Sequence, residues 1–113
     1  MSFESVSIIK TPYYFEQINE LLGDLEQWSF EEYLAANPRA GDVIPKSGGL
    51  RKLRWTAESR SKGKRGGIRV IYYWQDSKGA IYLLTAYAKN KQEDLSAKQL
   101  KALRDFVEVI KDE

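Results

Sequence analysis

The sequence contains no cysteine and no histidine among its 113 residues. The absence of cysteine excludes disulfide bonds and thiolate nucleophiles. The absence of histidine removes the commonest general base at neutral pH and the commonest metal ligand, and with it the serine–histidine and cysteine–histidine catalytic sets. The carboxylates are scattered without the spacing of metal ligands. We therefore expect neither a metal site nor any other cofactor.

Long hydrophobic runs are also missing. No apolar stretch could span a bilayer, and residues 1–14 contain neither a charged leader nor a long apolar run. We therefore expect a cytoplasmic protein without a membrane partner. The length and the hydrophobic fraction of 42% predict one ordered domain over residues 1–113.

Basic residues are concentrated in one stretch, between Lys46 and Arg69. This stretch carries nine basic side chains and a single acidic one, Glu58, whereas the rest of the chain has nine basic and fifteen acidic residues. Such a concentration of charge creates a positive potential that attracts phosphate chains. The sequence therefore predicts a polyanion as the leading partner.

Hydrophobic periodicity and helix-capping signals predict an α+β domain, with N-terminal helices and a C-terminal helix packed on a small, mostly antiparallel sheet. Two capping boxes place helix starts at Ser29, with Glu32, and at Ser96, with Gln99. Glu93 and Asp94 are expected to support the second of these starts through their negative charge. The predicted elements are a strand at 3–9, a helix from Pro12 to Gly23, a helix that starts at Ser29 and stops before Asn37, strands at 50–55, 68–74 and 80–87, and a helix from Ser96.

The strand GGLRKLRW carries cations at strand spacing. Lys52 and Arg54 are two residues apart and share one face of an extended strand. Leu53 takes the other face, and Arg51 points to the same side as Leu53, which favours a position at a strand edge. Each cation alone fits a solvated strand surface, but the pair together with Arg69 favours a site.

Arg69 lies at the entrance to the apolar and aromatic strand IRVIYYW. Burial of an unpaired arginine is costly, so this side chain needs a partner or an open cleft. An ion pair with Asp76 or Glu93 and a role in a functional cleft have similar weight on spacing alone.

Two further groups of basic residues flank the strands. Tyr87, Lys89 and Lys91 alternate outward after the last strand, where tyrosine can stack on a base and lysine can hold phosphate; an ordinary polar strand end is the alternative. Lys62, Lys64 and Arg65 lie in a loop that could contact an RNA backbone or simply aid solubility.

Five segments together carry a family pattern: NPRAGDVI (37–44), GGLRKLR (48–54), GKRGGIRVIYYW (63–74), LLTAYAKN (83–90) and Asp94-Leu95. In this combination, and in the order of its elements, the chain resembles the HigB-type branch of the RelE superfamily of bacterial toxins, which are ribosome-dependent mRNA endonucleases. The resemblance covers nearly the whole domain and implies a RelE-like fold.

The resemblance also implies a reaction. In this family the ribose 2′-hydroxyl attacks the neighbouring phosphodiester, and basic residues accept its proton, offset the charge on phosphorus and assist the leaving oxygen. Crowded cations can depress the pKa of a lysine enough to make it a base, while arginines stabilise the transition state.

Carried over by position, the resemblance implies a catalytic role for four cations. Lys52 is the candidate base, Arg54 its neighbour on the phosphate, Arg69 the transition-state stabiliser and Lys89 the group that assists the leaving oxygen. The candidate RNA-binding residues are Arg51, Lys62, Lys64, Arg65, Tyr87 and Lys91.

The implied partners are mRNA in the ribosomal A site, ribosomal RNA and a cognate helix-turn-helix antitoxin, through which alone the protein would reach operator DNA. Two other functions stay open at this stage. One is a ParE-like inhibitor of DNA gyrase with the same fold, although that branch generally lacks the cluster of catalytic cations. The other is a non-catalytic RNA-binding module.

Overall fold

A computed structural model describes residues 5–56 and 67–112. Their elements follow the predicted order, with one short strand added. In chain order they are β1 (Ser7–Lys10), α1 (Pro12–Leu21), α2 (Asp24–Ala36), β2 (Asp42–Val43), β3 (Leu50–Trp55), β4 (Ile68–Gln75), a 3-10 turn (Asp76–Lys78), β5 (Ala80–Ala88) and α3 (Ala97–Lys111).

Within the described residues the strands form one sheet in the order β1-β5-β4-β3-β2. β1 pairs with β5 in parallel, and the other neighbours are antiparallel. The predicted α+β class with a mostly antiparallel sheet is confirmed.

Side chains of β4 alternate between two hydrophobic clusters on opposite faces of the sheet. Ile68, Val70 and Tyr72 join the buried side chains of α1 and α2. Ile71 packs on the other face with Val107 of α3. The sheet is therefore covered by two helices on one face and by α3 on the other, and the α3 face also carries the site described below.

The helix termini agree with the capping signals except at α2. Thr11 accepts from the Tyr14 N–H at the start of α1, and the predicted capping box of Ser96 and Gln99 is present. The predicted start at Ser29 is wrong, because α2 begins at Asp24, after Gly23. Ser29 therefore lies in the helix interior, and Gln27, two residues before it, is buried and donates from Nε2 to Asn19 Oδ1 at 2.9 Å and to the Leu22 carbonyl at 3.0 Å.

The outer strands also differ from the prediction. The strand predicted at 3–9 is observed at Ser7–Lys10; its first two positions lie outside the described residues. β2 was not predicted, since it has only two residues, Asp42 and Val43, both exposed, and it shows no alternation of apolar and polar positions.

The two buried tyrosines of the α1–α2 side differ in their hydrogen bonds. The Tyr72 hydroxyl donates to the Pro38 carbonyl at 2.7 Å and accepts from the Gly41 N–H at 2.8 Å. The Tyr14 hydroxyl, in contrast, has no hydrogen-bond partner in the described part of the chain. Burial, with the Glu31 carboxylate as a smaller cause, raises the pKa of Tyr14 above its ordinary value.

Replacing Tyr14 by phenylalanine is expected to leave the protein as stable as before, or about 1 kcal/mol more stable, because an unsatisfied buried hydroxyl is removed. The raised pKa means that the Tyr14 contribution to stability is complete below the unfolded pKa of 10.0 and is lost as the pH rises above it. The variant should therefore lose less stability between neutral and alkaline pH. Urea unfolding at both pH values measures this.

Tyr13→Phe is the matched control for this test, since the Tyr13 side chain is 55% exposed and loses a hydroxyl that already faces water. A Tyr14→Phe protein that is clearly less stable than the Tyr13→Phe protein would contradict the expectation.

Candidate active site

Three residues form a row across the middle strands of the sheet. Arg54 of β3 lies opposite Arg69 of β4, and Arg69 lies opposite Tyr87 of β5. Directly opposed residues of antiparallel strands project from the same face, with Cβ atoms about 5 Å apart. The row therefore places two guanidinium groups and a phenol side by side.

A β-bulge in β5 sets this row. Ile71 pairs with Thr85, but the next residue, Tyr72, pairs with Leu83, so Leu84 is the extra residue. Such an insertion shifts the pairing beyond it by one position. Without the bulge, Ala86 and not Tyr87 would lie opposite Arg69.

Two lysines extend the row on the same face. Lys52 lies two residues before Arg54 on β3, and Lys89 lies two residues after Tyr87. The Lys89 N–H donates to the Gly67 carbonyl at 3.1 Å, which continues the pairing of β5 with the start of β4. The structure thus brings the four predicted catalytic cations to one region, with Tyr87 among them. We call this set the cationic group: Lys52, Arg54, Arg69, Tyr87 and Lys89.

Two carboxylates contact lysines of the cationic group: Asp94 pairs with Lys52 at 3.3 Å and Glu93 with Lys89 at 3.5 Å. Asp94 is the more closely held of the two. Its Oδ1 accepts from Lys52 Nζ at 3.3 Å and from the Leu95 N–H at 2.9 Å. The Leu95 N–H is the largest cause that holds the pKa of Asp94 below its usual range; Lys52 and then Lys89 lower it further, while burial opposes them. Asp94 is therefore ionised at neutral pH.

Tyr87 is the buried member of the group, with 7% of its surface exposed. Burial is the main reason that its pKa is raised; Asp94 raises it further, whereas Arg69 lowers it. Among the described residues the Tyr87 hydroxyl has no hydrogen-bond partner. Within the part of the chain that the structure describes, the neutral phenol is therefore a buried donor without an acceptor, next to Arg69.

The two acidic residues predicted as ion-pair partners of Arg69 both pair with other basic residues. Asp76 pairs with Arg39 at 3.1 Å and lies seven residues along from Arg69, about 23 Å on an extended strand, so it is not a partner of Arg69. Glu93 pairs with Lys89 at 3.5 Å. Arg69 itself is partly buried beside Tyr87.

Arg51 lies apart from the cationic group. Its guanidinium is on the α1–α2 side of β3 and donates to the carbonyls of Arg39 at 3.2 Å and Gly41 at 2.7 Å. The strand-edge position expected for it is wrong, because β2 pairs with β3 and places Val43 opposite Arg51. The structure therefore gives Arg51 a contact with the α2–β2 connection.

Of the other candidate RNA-binding residues, the structure describes only Lys91 and Tyr87, and Tyr87 belongs to the cationic group. Lys91 is exposed in the turn after β5, where its N–H donates to the Ala88 carbonyl at 3.0 Å. Lys62, Lys64 and Arg65 lie outside the described residues.

Sequence reasoning missed the contact of Asp94 with Lys52. Asp94 was expected to support the start of α3, yet Ser96 caps that helix and the Asp94 side chain contacts Lys52. Nothing in the spacing could reveal this contact, since the two residues are 42 positions apart.

Charge is distributed unequally between the two faces of the sheet. Residues 12–36, which contain α1 and α2, carry six acidic and no basic side chains. The cationic group lies on the other face. Within the described residues, no set of three or more acidic side chains is placed to hold a metal ion, and none of the helices there has the length and apolar character needed to cross a membrane.

Comparison with solved structures identifies the fold. E. coli toxin RelE in the free state, in a form with two arginines replaced, aligns with 80% of this chain and 90% of its own, at a TM-score of 0.56 and 15% identity. The intact E. coli RelBE toxin–antitoxin complex aligns at a TM-score of 0.54 and 14% identity, over 74% of this chain and 96% of that one. The protein has the RelE fold.

A third RelE structure, in complex with an antitoxin RelBc peptide, aligns with 83% of this chain and 98% of its own at a TM-score of 0.52 and 16% identity. No protein-family model matches the sequence. The identity to these structures is only 14–16%. The shared fold therefore does not establish the roles of the site residues, which depend on their own chemistry.

Proposed function

We propose that this chain is the toxin of a toxin–antitoxin pair and that it cleaves messenger RNA on the ribosome. The observation that carries the proposal is the row of Arg54, Arg69 and Tyr87 with a lysine at each side. Clustered cations suit a pentacoordinate phosphate, which gains negative charge as the reaction proceeds. The RelE fold, seen in a toxin and in its antitoxin complex, supports the same conclusion.

The proposed reaction needs only groups of the RNA and of the protein. The ribose 2′-oxygen attacks the adjacent phosphorus as its proton passes to a base, and the bond from phosphorus to the 5′-oxygen breaks. A proton is delivered to that 5′-oxygen, which leaves as a hydroxyl, and the other product ends in a 2′,3′-cyclic phosphate. One proton is removed and one returned, so the step is balanced.

The residues divide these tasks by position. Arg69, in the middle of the row, and Arg54 beside it stabilise the negative charge that develops on the phosphate. Lys89, beyond Tyr87, donates the proton to the leaving 5′-oxygen. Lys52 is the base, which requires it to enter the reaction as a neutral amine. In the free protein its Nζ donates to Asp94, so this contact must open before Lys52 can act.

The proposed partners follow from this activity. The cationic group binds mRNA in the ribosomal A site, and Lys62, Lys64, Arg65 and Lys91 contact ribosomal RNA. A helix-turn-helix antitoxin neutralises the toxin in the cytoplasm and links it to operator DNA.

The proposed function predicts cleavage of a reporter mRNA that depends on ribosomes. Primer extension in a purified translation system, with and without ribosomes, measures this. Cuts at codon positions only when ribosomes are present are the expected result, because the ribosome holds the message in a reactive geometry for a site without a histidine base.

The other outcomes point to different functions. Cuts without ribosomes would keep the nuclease and change its target. If folded, antitoxin-free protein makes no cuts, nuclease activity is overturned; inhibition of supercoiling would then indicate a gyrase inhibitor, and RNA binding alone would indicate a non-catalytic module.

A further inference from the structure

Asp94 combines a backbone that is tied to α3 with a largely exposed side chain. Gln92 Nε2 donates to the Asp94 carbonyl at 2.8 Å and to Gln99 Oε1 at 2.7 Å, and Gln99 belongs to the capping box of α3. The backbone of Asp94 is thereby tied to the start of that helix. Its side chain, however, is 66% exposed, so its contact with Lys52 can open while the carboxylate keeps its hydrogen bond from the Leu95 N–H.

The Asp94 carboxylate lies where nearby positive charge favours an anion. It contacts Lys52 Nζ at 3.3 Å. Lys89 is close enough to act on it electrostatically and is itself paired with the exposed Glu93 at 3.5 Å. A phosphodiester carries the same single negative charge and also presents two anionic oxygens to nitrogen donors. Because partly exposed lysine–carboxylate pairs are weak, an incoming phosphate can replace the carboxylate at little cost.

We propose that Lys52 and Lys89 form a phosphodiester subsite and that Asp94 is its internal occupant, which gives way when RNA binds. This inference rests on the proposed function, because it assumes that the ligand of the cationic group is RNA. It adds that the free protein keeps part of its cationic group neutralised, so that loosely held anions compete poorly for it. It also supplies the step that releases Lys52 from its carboxylate partner. Lys52 then binds the phosphate as an ammonium group and acts as the base only after it has lost that proton.

The proposal predicts how salt affects binding. When a phosphate displaces a salt ion from a lysine, the affinity for single-stranded RNA falls with salt, with a slope of about −0.7 per contact. In the native protein the group displaced from Lys52 is Asp94, which contributes nothing to this slope. Removal of the Asp94 charge should therefore tighten RNA binding about fivefold at low salt, as expected for one exposed charge, and should steepen the slope by about 0.7.

The test uses the full chain with Asp94→Asn, whose amide oxygen can still accept from the Leu95 N–H. Fluorescence anisotropy with a short, labelled, single-stranded RNA gives the dissociation constant over a range of salt concentrations. The RNA carries 2′-O-methyl groups throughout, so that it cannot be cleaved. Asp105→Asn is the matched control, because it makes the same charge change in an exposed pair, with Lys101 at 3.0 Å, on α3.

The expected result is tighter binding and a steeper slope for Asp94→Asn alone, with both gains lost in a Lys52→Ala background. Asp94→Asn behaving like Asp105→Asn, or binding RNA more weakly than the native protein, would overturn the subsite proposal and leave the proposed function standing. A native protein that binds no RNA at any salt concentration would overturn both.

Discussion

Arg69→Ala is expected to lower the rate of mRNA cleavage by about 10²–10³-fold, the usual effect of removing one preorganised donor from a charged transition state. Arg69 is in the centre of the row, between Arg54 and Tyr87, and no other described side chain occupies that register position. RNA binding should weaken only a few-fold, because one of several phosphate contacts is lost. Time courses of primer extension on ribosome-bound message measure the rate, and anisotropy measures the binding.

Arg39→Ala is the matched control for Arg69→Ala, since it removes the same charge from a side chain that is 63% exposed and paired with Asp76 beyond the other end of β4. It should cleave at the native rate. Arg69→Lys should recover only part of the lost activity, because lysine keeps the charge without the planar fork of donors. If Arg69→Ala cleaved mRNA at the native rate, Arg69 would not stabilise the transition state.

Gly67→Ala is expected to destabilise the protein by about 2–5 kcal/mol, which adds the cost of a left-handed backbone to that of a steric overlap. Gly67 has φ +58°, and a Cβ atom built on it would lie 2.5 Å from the Trp55 carbonyl oxygen and 2.8 Å from Thr56 Oγ1. Since a small domain has a free energy of unfolding of about 5–15 kcal/mol, this is a large part of the total. Urea unfolding measures it.

Gly79→Ala separates the two contributions to the Gly67 effect. Gly79 has a nearly identical φ of +61°, but the nearest atom to a new Cβ, the Ser5 carbonyl oxygen, is 3.8 Å away. It should therefore cost only about 1–2 kcal/mol, the backbone strain alone. Equal losses for the two variants would mean that the strands move apart at Gly67 and relieve the overlap.

The same comparison carries a consequence for the site. The Gly67 carbonyl accepts from the Lys89 N–H, so a shift of Gly67 also moves Lys89. A folded fraction of Gly67→Ala protein should consequently cleave more slowly than Gly79→Ala protein.

Much of the fold could be predicted because its signals are local. β4 and β5 are strongly apolar runs bounded by a turn, and the prediction is within one residue of their observed ends. The capping box at Ser96 was sufficient to place the start of α3. The start of α2 was misplaced because Ser29 and Glu32 imitate a cap. The observed start is accompanied by hydrogen bonds from the buried Gln27 to Asn19 and to the Leu22 carbonyl, which no local pattern reveals.

The site was predictable in part for a similar reason. Strand periodicity alone places Lys52 and Arg54 on one face. The row that joins Arg54, Arg69 and Tyr87, by contrast, depends on strand register and on the extra residue Leu84 in β5, and neither is visible in a hydrophobic pattern. Asp94 depends in addition on where the chain returns after β5, so its contact with Lys52 could only come from the structure.

The separation of charge between the two faces of the sheet has a consequence for the encounter with RNA. Residues 12–36 carry six carboxylates and no basic side chain. Lys10, which pairs with Glu31 at 2.9 Å, and Arg51 offset part of this charge. The remainder, opposite the cationic group, gives the molecule a dipole moment that points through the sheet. In the field of a polyanion such a dipole experiences a torque, which turns the cationic face forward before contact. The long-range electric field of the RNA therefore raises the fraction of collisions in which the cationic face meets the RNA. This fraction falls as added salt shortens the range of the field.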